Sequence, residues 1–122
     1  MRQTPFGAIL REVVEHTPGA VGGAFAAADG ETVDAFTQWD PADWAILTAH
    51  YGIVLSQVQA ALHTFHYGDA TLLTFSHANM DVLICTVGEG YFALMAVEPP
   101  GPLGRAMVAL DHASELLRLE MF

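Results

Sequence analysis

Between positions 44 and 68 the chain carries no Asp, Glu, Lys or Arg. Those 25 consecutive uncharged residues sit in a protein of 122 residues with a formal net charge of −10. Most of the stretch reads as one helix, and a surface helix ordinarily buries one stripe and shows charge to water on the other. Here neither side offers that charge, so the helix is either in a membrane or covered on its second side by protein. Its flanks favour protein. Asp40, Asp43 and Asp69 bracket it, no Lys or Arg stands near to orient it, and His50, Ser56, Gln57, Gln59 and His63 interrupt it. The expectation is a protein-covered helix and no membrane span.

The length suits one domain, residues 1–122, with a core of its own. A hydrophobic content of 52% is that of a globular chain. Fourteen acidic residues stand against four arginines, the wrong balance for a nucleic-acid backbone and the right one for a partner with a basic surface. There is no lysine, which excludes a phosphate-loop lysine, a Schiff base and a lysine general base. The single Cys85 lies in an apolar run and has no internal disulfide partner, which suits a reducing cytoplasm. The opening residues have too short an apolar run after Arg2 for a secretory signal.

Local signals give the element order αββαβββα. Thr4-Pro5 starts a helix whose Phe6, Ile9, Leu10, Val13 and Val14 recur at helical spacing, and Pro18-Gly19 stops it. Strands follow at 21–28 and 31–37 around the hairpin signal Asp29-Gly30. Asp40-Pro41 opens the long helix, which runs to about Phe65 with Gly68 expected to help end it. Three strands, 70–77, 80–87 and 91–97, form a meander. After a proline-rich connection a last helix covers 103–120, with Leu103, Met107, Leu110, Ser114, Leu117 and Met121 on one stripe. The first and fifth strands are apolar on both faces and belong at the centre of a sheet; the second and third carry polar side chains and belong at its edges. The strand order 2-1-5-4-3, all antiparallel, satisfies these constraints.

At 100° per residue Trp44, Leu47, Tyr51, Leu55, Val58 and Leu62 form one stripe of the long helix, expected to pack on the sheet. Ile46, His50, Ile53, Gln57, Ala60 and Ala61 lie on the opposite side. Small residues, Ala49, Gly52 and Ala60, are expected to let a second backbone approach. This strip, beside an open third strand bearing Thr74 and Ser76, is the expected dimer or partner interface, with Ile46, Ile53 and Tyr51 as anchors.

The segment Ile9–Gly19, followed by Val21–Gly30 with its small-residue strand and Asp-Gly hairpin, resembles the opening of the Roadblock/dynein-light-chain family. The long uncharged helix, the meander and the helix start at Pro102–Ala109 resemble the rest of that family in order. The resemblance implies a profilin-like α+β sandwich with helices on both faces of a five-stranded antiparallel sheet. It further implies a homodimer through the second helix and third strand, and a non-catalytic adaptor or regulator for a small Ras-like GTPase. A scaffold subunit pairing with a related Roadblock chain is the variant of that reading.

Other chemistry is thin. No GxxxxGK[ST] motif is present. Arg105, opening the last helix, is the least implausible arginine finger, and a solvated side chain is the plainer reading. His63, His66 and Asp69 have the residue types of a zinc site but lie at a fraying helix end, and neither metal nor cofactor is expected. Asp111, His112 and Ser114 cannot converge as a triad on one helix. The remaining rival is a sensor holding a small molecule between sheet and helix, motivated by Gly22 and Gly23; close helix packing on those glycines is preferred.

Overall fold

The computed structural model describes residues 4–122. Helix α1, Pro5–Glu15, begins where Thr4 accepts the Gly7 amide at 2.9 Å and Pro5 occupies the first turn. Gly19, at φ +83°, turns the chain into β1, Ala20–Ala27, and β2, Thr32–Thr37, follows across the Asp29-Gly30 turn. Helix α2, Pro41–Thr64, is capped by Asp40, whose carboxylate accepts the Asp43 amide at 3.1 Å. Then come β3, Leu72–Ser76, β4, Asp81–Val87, β5, Tyr91–Val97, and α3, Leu103–Met121. The order is the expected αββαβββα, with β5 at its expected bounds and the other strands shifted or shortened by one or two residues at their ends.

The sheet order is β2-β1-β5-β4-β3, antiparallel throughout. The three central strands alternate their side chains between two cores. Phe25, Leu83, Cys85, Ala93 and Met95 face α1 and α3, where Leu10, Val14, Leu110 and Leu117 complete the packing. Ala24, Ala26, Val82, Ile84, Phe92 and Leu94 face α2, which contributes Trp44 and Leu55. Two helices therefore cover one face and a single helix the other. One helix leaves much of its own circumference to solvent, and that asymmetry positions the site.

The end of α2 departs from the sequence reading. His66, not Gly68, closes the helix in the left-handed conformation, at φ +59°. The Tyr67 amide reaches back to the Leu62 carbonyl at 3.1 Å and the His66 amide to the His63 carbonyl at 3.2 Å, a Schellman closure with histidine where glycine is usual.

Candidate protein-interaction site

The stripe that seats α2 is Trp44, Thr48, Gly52 and Leu55. It is rotated from the expected one: Leu47, Tyr51, Val58 and Leu62 are half-buried on its margins. Trp44 decides the rotation. Its indole lies over Gly22, where an added Cβ would stand 2.9 Å from the ring, and its Nε1 donates to the Gly23 carbonyl at 3.1 Å. One turn on, Thr48 is fully buried because its hydroxyl is satisfied by the Trp44 carbonyl at 2.9 Å.

The small residues of the helix are used within the chain. A Cβ on Gly52 would lie 3.2 Å from the Gly30 Cα and 3.4 Å from the Phe92 ring, and one on Gly30 would lie 3.1 Å from the Ala49 Cα. Ala49 and Gly52 thus admit the β1–β2 turn, a correction to the expectation that they admit a second protein. Ala60 remains on the open side. Gly22 and Gly23 are filled likewise, by Trp44 on one face and by Val14, 3.2 Å from a Cβ on Gly23, on the other. Helix packing accounts for the close approach that motivated the sensor.

On the outer side Ile46 and Ile53 are each 56% exposed, and His50, Gln57, Ala60 and Ala61 are exposed along the same strip. Beside it β3 is the open edge of the sheet, paired on one side to β4, with Thr74 and Ser76 exposed. Two devices tie this edge to the helix. Tyr51 lays its ring on Phe75, centroids 5.4 Å apart, and its hydroxyl meets His77 Nε2 at 2.6 Å. Burial pushes the Tyr51 hydroxyl above its ordinary pKa. Tyr51 therefore serves as a strut inside the chain rather than the partner anchor expected of it. Gln59 clips the incoming loop through Ala70, donating to its carbonyl at 3.1 Å and accepting its amide at 2.8 Å.

Beyond α2, Phe65 and Tyr67 stack at 6.1 Å and 27° and stand 65% and 78% exposed. Sequence reasoning missed this aromatic pair; its flanking of a helix end was the available signal. His63 Nε2 meets Asp69 Oδ1 at 2.5 Å. Among the described residues no group of three His, Cys, Asp or Glu side chains is gathered to hold a metal ion, and His66 stands apart from that pair.

The other candidates are dispersed. Arg105 is exposed at the start of α3, with no ion pair among the described residues. Asp111 and His112 are exposed while Ser114 is buried, so the three diverge. Cys85 is buried, 4.0 Å from Asp111 Oδ1. By length and composition α2 could cross a membrane, yet it lies along the sheet with Trp44 inserted into it.

No family model matches the sequence, and no curated protein matches it. Solved structures do. A Roadblock/LC7 domain from Streptomyces avermitilis superposes with a TM-score of 0.88 at 13% identity, covering 98% of both chains. This chain has the Roadblock/LC7 fold. The gliding protein MglB from Thermus thermophilus shares it, with a TM-score of 0.85 at 18% identity over 98% of this chain and 92% of MglB. Profilin II of Acanthamoeba castellanii superposes at 0.64 and 13% identity over 98% of each chain, which places the Roadblock/LC7 fold among profilin-like sandwiches. At such identities the likeness is one of architecture, and the site must be argued from its own residues.

Proposed function

We propose that this protein is a non-catalytic, homodimeric adaptor of the cytoplasm that binds and regulates a small Ras-like GTPase. The observation that carries the reading is the strip of α2 from Ile46 to Ala61, free of Asp, Glu, Lys and Arg, mostly apolar and exposed, running beside the open edge strand β3. A contiguous strip of this kind on a single-helix layer calls for a protein cover. Two copies related by a two-fold axis cover it at once, because Ile53 of each faces the same helix of the other and the β3 edges lie alongside. Ile46, His50, Ile53, Gln57, Ala60 and Ala61, with Thr74 and Ser76, form that contact. The fold shared with MglB and the Roadblock/LC7 domains supports the GTPase reading, and the net charge of −10 suits steering of a basic surface patch.

Sedimentation at micromolar concentration tests the first half: a dimer is expected, and Ile53→Asp, which places a carboxylate in the two-fold contact, yields monomers. A wild-type monomer, or a variant dimer as tight as wild type, overturns it. Pull-down from native lysate, read for a Ras-like GTPase, tests the second half. Recovery of the dimer without any such GTPase counts against that partner.

A further inference from the structure

The two edges of the sheet, β2 and β3, are built differently. In an antiparallel ladder alternate residues turn their amide and carbonyl to the neighbouring strand, and the residues between turn theirs away. The Gln38 amide bonds the Val21 carbonyl at 3.2 Å and Gly22 stands opposite Thr37, so Phe36 and Asp34 bond β1. The amides of Ala35 and Thr37 therefore point out of the sheet. On the other edge the Thr86 amide bonds the Thr71 carbonyl at 3.0 Å, and β3 keeps its register with β4 from Leu72 to Ser76. Leu72, Thr74 and Ser76 point outward there, and among the described residues no side chain caps their amides.

At β2 the edge is blocked from within. Asp34 Oδ1 accepts the Ala35 amide at 2.8 Å. Asp34 Oδ2 accepts the hydroxyl of Thr4, the residue that caps α1, so the carboxylate is held at both oxygens. Beside it the register slips. Phe25 stands opposite Asp34 and Ala26 opposite Thr32, which leaves Val33 as a bulge. The other outward amides, of Thr32 and Thr37, stand at the two ends of the strand, with the bulge and the capped Ala35 between them.

The surface next to this edge gives a strand something to cover. A groove of about 370 Å³ lies between β2 and the start of α2, with Ala35, Phe36, Pro41, Trp44 and Ala45 on its walls. Val33 is 41% exposed. A strand added to β2 would bury this apolar surface as well as form ladder bonds, so an unblocked edge would invite pairing.

We infer that Asp34 keeps β2 closed to strand addition: by holding the Ala35 amide it stops a second copy of this chain from pairing its own β2 there, and it confines strand entry to β3. On the dimer reading, two copies joined at β3 present β2 at both outer edges, and closed edges end the assembly at two. The inference does not depend on that reading, because its test compares variants with the wild type whatever the wild type's own state.

The test is sedimentation of the whole chain over a range of concentrations. Asp34→Val removes the acceptor and adds a side chain suited to strands, and is expected to give heavier species than the wild type at equal concentration. Asp34→Asn keeps an oxygen for the Ala35 amide while dropping the charge, and is expected to match the wild type. Adding Ala35→Pro to Asp34→Val deletes the outward amide, which an edge strand tolerates, and is expected to restore the wild-type mass. Hydrogen exchange gives a second measure: the Ala35 amide is expected to exchange about tenfold faster in Asp34→Ala, with β5 equally protected in both proteins. Four results would each overturn the inference: Asp34→Val no heavier than wild type, Asp34→Asn as heavy as Asp34→Val, association that persists with Ala35→Pro, or unchanged exchange at Ala35.

Discussion

Gln59 and Ala70 are joined by a reciprocal pair of hydrogen bonds, in which the side-chain amide of Gln59 copies the donor–acceptor pattern of a neighbouring strand. Ala70, two residues ahead of β3, is thereby paired outside the strand ladder. The pair fixes the course of the chain from α2 into the open edge. Gln59→Ala removes both bonds and leaves two half-buried backbone groups to water. The expected loss is about 1–2 kcal/mol, seen as a lower denaturation midpoint, with faster hydrogen exchange concentrated at Ala70 and β3.

Gly22 is where the sheet admits Trp44. A Cβ there would stand 2.8 Å from Thr37 Oγ1 and 2.9 Å from Trp44 Cη2, distances no ordinary packing tolerates. Gly22→Ala is expected to destabilise the protein by about 1–3 kcal/mol despite the lower chain entropy of alanine. Thermal unfolding measures the loss. The indole must move as well, so the tryptophan fluorescence maximum should shift.

His66 holds a left-handed backbone that glycine adopts without a side-chain penalty. It is exposed. His66→Gly is therefore expected to stabilise the protein, by about 0.5–1 kcal/mol, with the Schellman closure retained. A raised melting temperature confirms the sign. A lowered one would mean that the imidazole makes a stabilising contact.

Burial pushes the Cys85 thiol above its ordinary pKa; Ser114 lowers it in part and the Asp111 carboxylate raises it further. The native state therefore keeps a proton that the unfolded chain gives up near pH ~8.5. The stabilising contribution is fully present below that value and is lost as pH rises towards the folded pKa. Denaturant titrations at pH ~8 and pH ~10 should show a fall in stability that is smaller in Cys85→Ala. The native thiol should also react with a disulfide reagent at mildly alkaline pH far more slowly than in the unfolded chain.

Much of the architecture was legible along the chain because its signals are local. Asp29-Gly30 needs only neighbouring residues to specify a hairpin, and Asp40-Pro41 needs only the following amides to start a helix. The doubly apolar β1 and β5 then forced themselves to the centre, which fixed the strand order. The face of α2 was less legible for the reason that made the helix conspicuous. A helix apolar on all sides gives little periodic contrast, so spacing alone placed the stripe on Tyr51 and Val58 rather than on Thr48 and Gly52.

What the sequence determined by itself was the order of elements, the order of strands and the existence of a long uncharged helix, because caps, turns and two-sided strands act over a few residues. The tertiary structure decided which way that helix is turned. The hole at Gly22 accepts the Trp44 indole, and Gly52 then meets Gly30, so steric fit between elements well separated in the chain sets the rotation. That rotation leaves Ile46 and Ile53 facing outward and turns Tyr51 and Gln59 to the edge strand. No periodicity could supply this, because it depends on the shape of the surface against which the helix comes to rest.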